Sequence, residues 1–199
     1  MAALTLGLFL FIGLHLLRET GLRDTLRRRL GVPRYMLLFC VGIVLSVLLM
    51  VHGKSTAAFV QLWVPPYNWR SVTNMAMLTA CIFVAAGNLP HSYLKESLTH
   101  PMLLGIIVWG VAHLLSNGDL ASALLFGGLS LWAAVKIVSL QRGARRTLRS
   151  AASSAAPATT ARKPSLYWDA TAVISGTIVY GTLLVFHGPL FGFALIPIA

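Results

Sequence analysis

Two histidines bracket an almost uncharged run in HPMLLGIIVWGVAHLLSNGD, residues 100–119: His100 opens it, His113 closes it, and Asp119 follows. An ionisable ring inside an apolar helix is costly in hydrocarbon, so it points to a function or to a partner that satisfies it. A neutral imidazole with few other polar groups around it has the chemistry of an axial ligand to haem iron. Gly105 and Trp109 stand eight and four residues before His113 and share a helix face with it. The same offsets from His15 reach Gly7 and Phe11, so the pattern LG-x3-[FW]-x3-HLL occurs twice. In a haem site the glycine would be a notch for the flat macrocycle, with the aromatic packing on it. The alternative is a packing histidine bonded to a backbone carbonyl or to a neighbouring Ser or Asn.

The other histidines and the acids narrow the chemistry further. His15 lies near one end of the first apolar run, His100 precedes Pro101 as a cap, and His52, His113 and His187 fall toward the opposite ends of theirs, with His91 in a short loop. No HExxH or other zinc spacing occurs, and five scattered acids do not form a paired-carboxylate enzyme. Asp119, placed by Asn117-Gly118, reads as a helix N-cap, the alternative being an acid that orients an imidazole. The small residues of ASALLFGG, 121–128, mark close helix packing rather than a phosphate loop.

The elements that must carry these rings are membrane helices. The chain is 57% hydrophobic and 11% charged with a mean hydropathy of +0.77, beyond a soluble domain. Six apolar stretches, about 3–17, 35–51, 72–89, 101–117, 119–139 and 168–187, approach the ~20 residues that cross a bilayer as a helix. The expected fold is an all-α polytopic transmembrane bundle, a single domain over 1–199. MAALTLGL lacks a basic leading region and the positive charges follow the apolar run, so the first stretch reads as a span and not as a cleaved signal. With alternating spans, thirteen of the sixteen Lys and Arg residues fall on one face, six of them between spans one and two and six between spans five and six. That face is expected to be cytoplasmic, which places both termini in the periplasm of an inner-membrane protein. The net charge of +11 is thus a topology signal and a contact for anionic headgroups, not a nucleic-acid site. Cys40 and Cys81 fall inside spans without ligand spacing and read as packing residues.

Between the spans, residues 18–34 place Leu22, Leu26 and Leu30 at i, i+4 and i+8 among arginines, which predicts a short amphipathic helix on the cytoplasmic leaflet, ended by Pro33. AFVQLWVPPYNWR, 58–70, gathers Phe59, Trp63, Tyr67 and Trp69 around a Pro-Pro break and predicts an interfacial cap. The low-complexity segment 143–164 predicts a flexible basic loop. The closing stretch from His187, interrupted by Pro189 and Pro197, is too broken for another span. The doubled histidine pattern would relate span one to span four, an inverted repeat of three spans plus three.

GLHLLRE (13–19), LWVPP (62–66), LTHPMLLGIIVWGVAHLLSNGDLASALLFG (98–127) and HGPLFG (187–192) resemble the NnrU family of bacterial integral membrane proteins. The resemblance implies a membrane protein associated with denitrification, that is, with nitrite and nitric oxide metabolism, and partners among the membrane proteins of that metabolism. The membrane domain of zeta-carotene isomerase, which uses haem b, is similar, so a haem-dependent carotenoid cis-trans isomerase is an alternative. Carried over from the family, the haem iron ligands are His15 and His113. Helical rise places His113 ~20 Å along its helix from His100, and the topology puts His100 level with His15. Either span one holds His15 deeper than its flanking arginines suggest, or the pairs are His15 with His100 and His113 with His187. A small transporter and a structural subunit docking through Gly127-Gly128 are the readings without haem.

Overall fold

The computed structural model describes residues 1–17, 19–66, 69–152 and 163–191. Among them run α1 (Ala2–Leu16), α2 (Leu22–Leu30), α3 (Val32–Ser55), α4 (Trp69–Asn88), α5 (Tyr93–Leu98), α6 (Pro101–Ser116), α7 (Leu120–Ser122), a π-helical turn (Ala123–Gly127), α8 (Gly128–Ala152) and α9 (Leu166–Phe191). Helix is the form in which an apolar chain satisfies its own N–H and C=O groups where no water can. Each of the six expected spans coincides with a helix. Four stretches, Val32–Ser55, Ser71–Asn88, Leu120–Thr147 and Leu166–Phe191, are long and apolar enough to cross a membrane. The helices α1 and α6 are apolar but shorter. At ~1.5 Å per residue, their 15 and 16 residues cover about 22–24 Å of a ~30 Å core.

Several boundaries differ from the sequence reading. Pro33 does not end the amphipathic helix; Gly31, at φ 78°, separates α2 from α3, and Pro33 sits in the first turn of α3, where no N–H is needed. The segment read as a flexible loop is helical as far as Ala152, because GARRTLRSAA is rich in good helix formers; residues 153–162 of it lie outside the described residues. α9 runs through Pro189 to Phe191, since a proline in a last turn removes little more than one bond, and 192–199 lie outside the described residues. The short helix α5 was not anticipated; Ser92 caps it by accepting the Lys95 N–H at 3.1 Å, and the Asp169 carboxylate accepts the Tyr93 and Leu94 N–H groups at 3.1 and 2.9 Å.

The helices gather into two compact units. The first comprises Met1–Val64 and Asn117–Gly128. In it α1 packs antiparallel on α3, and the extended segment after α3 pairs with the loop before α7: the Leu62 and Trp63 N–H groups donate to the Gly118 carbonyl at 2.7 and 3.1 Å, and the Leu120 N–H donates to the Val60 carbonyl at 2.8 Å. The expected aromatic cap is therefore hydrogen-bonded to the loop that starts span five, with Phe59 left 75% exposed for the interface; Tyr67 lies outside the described residues. The second unit comprises Pro65–Ser116 and the helices from Leu129 onward. There α4 packs antiparallel on α6 and also against α9, where a Cβ on Gly176 would lie 2.6 Å from Ile82 Cα.

The two helix pairs share one packing register. In the first unit a Cβ on Gly7 would lie 2.7 Å from the Ser46 carbonyl oxygen and 2.8 Å from the Met50 nitrogen, and one on Gly53 would overlap the Leu4 backbone. In the second, a Cβ on Gly105 would lie 2.9 Å from the Ala80 carbonyl oxygen and 3.0 Å from the Val84 nitrogen, and one on Gly87 would overlap Met102. Leu4 and Gly7 thus correspond to Met102 and Gly105, and Ser46, Met50 and Gly53 to Ala80, Val84 and Gly87. The likeness is one of local packing: α1 is matched by α6 and α3 by α4, that is span two by span three, so it is not the expected repeat of three spans plus three, which would match span two with span five. Backbones this close cannot move apart one side chain at a time. Gly105→Leu is expected to destabilise by about 1–3 kcal/mol through overpacking, whereas Gly13→Ala, which meets nothing within 4 Å, is expected to be neutral or to stabilise by up to about 1 kcal/mol through helix propensity. Thermal unfolding in detergent distinguishes the two.

Candidate functional site

His15 and His113 occupy the last turns of the two short helices and have the same local geometry. The His15 Nδ1 is 2.8 Å from the Phe11 carbonyl oxygen, and the His113 Nδ1 is 2.8 Å from the Trp109 carbonyl oxygen. A carbonyl only accepts, so in the neutral ring Nδ1 carries the proton and Nε2 carries the lone pair. Each ring also leans on that aromatic, with centroids 4.3 Å apart for Phe11 and His15 and 5.0 Å for Trp109 and His113. Phe39 of α3 adds an edge contact to His15 at 5.8 Å, and Tyr35, 6% exposed, stacks on Phe39. This contact sets His15 beside the second turn of α3, about 10 Å from that helix's start.

Beside His113 the second unit supplies a polar chain: the Ser116 hydroxyl donates to Thr73 Oγ1 at 2.8 Å, and the buried Thr73 hydroxyl donates to the Ala112 carbonyl at 3.3 Å. His187, on α9, lies within electrostatic reach of His113 and 5.1 Å, ring to ring, from Phe191. His100 is at the opposite end of α6 from His113, where its carbonyl accepts the Leu104 N–H at 3.1 Å, as a cap does. His187 is thus within electrostatic reach of His113, whereas His100 stands at the other end of α6.

The glycine notch is not open. Gly105 is buried against Ala80 and Val84 of α4, and Gly7 against Ser46 and Met50 of α3, so both glycines serve helix contact and the space at each is taken by the partner helix. Trp109 keeps its place beside His113, and its carbonyl is the acceptor that orients the imidazole. Gly128 is likewise occupied within the chain, since a Cβ there would lie 2.8 Å from the Leu8 side chain. Among the described residues no group of three or more His, Cys, Asp or Glu could hold a metal ion. Axial ligation of a porphyrin iron needs one or two imidazoles and no such group.

The strongest electrostatic feature was half legible in the sequence. Asp119, 5% exposed, caps α7 by accepting the Ser122 N–H at 3.0 Å and its hydroxyl at 2.5 Å. It also accepts the Lys54 ammonium on both carboxylate oxygens, at 3.0 and 3.2 Å. Burial alone would raise the Asp119 carboxyl, but the bonds from Ser122 and the Lys54 ammonium outweigh it and hold the group below its ordinary value. Asp119 does not orient an imidazole; it fastens the end of α3 to the start of span five. The signal for its partner was Lys54 itself, a cation isolated on the sparsely charged face.

A bundle of apolar helices carrying imidazoles in two matched helix pairs defines a polytopic α-helical membrane protein. The family model for NnrU protein matches residues 3–195, nearly the whole chain, and the chain belongs to that family. None of the curated proteins and none of the solved structures matches it.

Because the Asp119 carboxyl is depressed in the folded state, its stabilisation is complete above the ordinary value of 3.8 and is lost as pH falls below it. Asp119→Asn is expected to lower stability at neutral pH by about 2–4 kcal/mol and to flatten the acid end of the stability profile. Lys54→Met should cost less, its side chain being 31% exposed. Unfolding followed by circular dichroism from pH 3 to 7 measures both.

Proposed function

We propose that this NnrU-family protein binds b-type haem through histidine imidazoles in the membrane and acts in nitrite and nitric oxide metabolism. The observation that carries the haem half is the matched pair of rings at His15 and His113, each with Nδ1 held on the carbonyl of an aromatic one turn earlier. That bond selects the tautomer whose Nε2 can ligate iron, and fixes the ring's orientation before any ligand arrives. A packing histidine can make the same bond, but two copies in one register, each at the end of a helix too short to span fully, favour a shared task over two coincidences of packing. The donor set fits the group: neutral imidazole, aromatic neighbours and no competing thiolate or carboxylate cluster among the described residues. Haem, when bound, would supply an iron centre whose potential and small-ligand affinity the imidazoles would tune. His187, on α9 of the same unit as His113, and His100 are the alternate ligands. The nitrogen-oxide half of the proposal comes with the family.

The test is an optical spectrum of detergent-purified, haem-replete protein, oxidised and then reduced with dithionite, for the wild type and for His15→Ala, His100→Ala, His113→Ala and His187→Ala. A Soret band in the wild type that is lost with His15 and with His113 is the expected result. Loss with His113 and His187 instead reassigns the ligands. Restoration of the band in His113→Gly by added imidazole would separate ligation from folding. A wild-type protein without a Soret band would end the haem reading.

A further inference from the structure

We propose that α2 is a lipid-binding element that retains anionic phospholipid, with its leucine stripe at the acyl boundary and Arg23, Arg27 and Arg29 on headgroup phosphates. At about 100° per residue, Leu22, Leu26 and Leu30 form one narrow stripe. Arg29 lies on one flank of the stripe with Thr25 beyond it, Arg23 lies on the other with Arg27 beyond it, and Arg28 and Asp24 occupy the opposite side. The Arg28 guanidinium donates to the Thr25 hydroxyl at 3.3 Å, and among the described residues none of the three flanking arginines is paired with a carboxylate.

Connectivity fixes where this face must be. One residue, Gly31, separates Leu30 from the membrane-crossing α3, and a short turn separates Leu22 from the end of α1. A nine-residue helix tied at both ends to membrane helices lies at the level of the headgroups. Among the described residues none of α2 is buried: the ends of the stripe are open, Leu22 being 51% and Leu30 37% exposed, and Leu26 between them is half-buried. A leucine stripe against water would be unfavourable, whereas flanking arginines that extend their stems along apolar surface can hold planar guanidinium groups against phosphate oxygens. A soluble phosphate or an acidic peptide would use the arginines and leave the stripe exposed; a lipid uses both. Two glycines at positive φ, Gly21 at 73° and Gly31 at 78°, let the chain enter and leave the surface helix abruptly.

Native mass spectrometry of the full chain, titrated in detergent with phosphatidylglycerol or phosphatidylcholine, tests the proposal. The wild type should retain phosphatidylglycerol in preference to phosphatidylcholine, and more weakly as salt rises. Each of Arg23→Gln, Arg27→Gln and Arg29→Gln should weaken phosphatidylglycerol binding by about fivefold, and the triple variant by on the order of a hundredfold. Arg28→Gln should stay within about twofold of wild type, because its side chain points away from the stripe. Leu22→Ser should weaken both lipids alike. Three outcomes would overturn the assignment: a triple variant, helical by circular dichroism, that keeps its phosphatidylglycerol; an Arg28→Gln loss equal to that of Arg29→Gln, which would make the effect one of net charge; or displacement of the lipid by millimolar inorganic phosphate.

Discussion

Close approach of helix backbones at glycine is the constraint on which the structure rests. In hydrocarbon no water is released when two apolar helices meet, so association relies on dispersion contact, and contact is densest where a missing Cβ lets one backbone settle on another. Gly7 and Gly53 do this between α1 and α3, and Gly87 and Gly105 between α4 and α6. Four of the long or apolar helices are thereby locked in antiparallel pairs whose rotation and height leave little freedom. The heights and facings of His15 and His113 follow from that locking.

The shared register gives the doubled histidine motif a physical meaning. A string such as LG-x3-[FW]-x3-HLL could recur by chance in leucine-rich helices, but chance does not also place its glycine on the equivalent turn of an antiparallel partner and its imidazole on the equivalent carbonyl. The two surroundings then diverge. Phe39 and Tyr35 make the His15 side aromatic, while Thr73, Ser116 and His187 make the His113 side more polar. Equal local geometry with unequal neighbours lets one ring differ from the other in its properties.

Charge is handled in two opposite ways. At one end of α3 the arginines of α2 remain exposed or half-exposed along a surface helix, where water or headgroups solvate them. At its other end Lys54 is drawn onto Asp119, whose carboxylate is nearly inaccessible and has four bonds to satisfy it. A buried carboxylate is tolerated only when so completely partnered. Beside it, the backbone bonds of Leu62 and Trp63 to Gly118 and of Leu120 to Val60 hold the segment 60–63 against the loop before α7 and satisfy its backbone where no helix can.

Composition and periodicity alone determined that the chain is all-helical and membrane-embedded, where its six apolar helices fall, that residues 22–30 form an amphipathic helix, and that His15 and His113 share a motif. These follow from the cost of exposing backbone or charge to hydrocarbon, which acts on each segment separately and so is written locally. The function of the glycines was misread, because a small residue looks the same whether its gap admits a cofactor or another helix; only the identity of the neighbour decides, and that neighbour is far away in sequence. For the same reason Lys54 could not be matched with Asp119, nor span two with span three, until the helices were paired. The extension of α8 and the passage of α9 through Pro189 were local matters of propensity, where breaker residues carried too much weight. The surroundings of His15 are the clearest case of a tertiary decision: the packing of Gly7 on Ser46 and Met50 sets α1 so that the ring meets Phe39 of α3, a neighbour that nothing in the sequence around His15 announces.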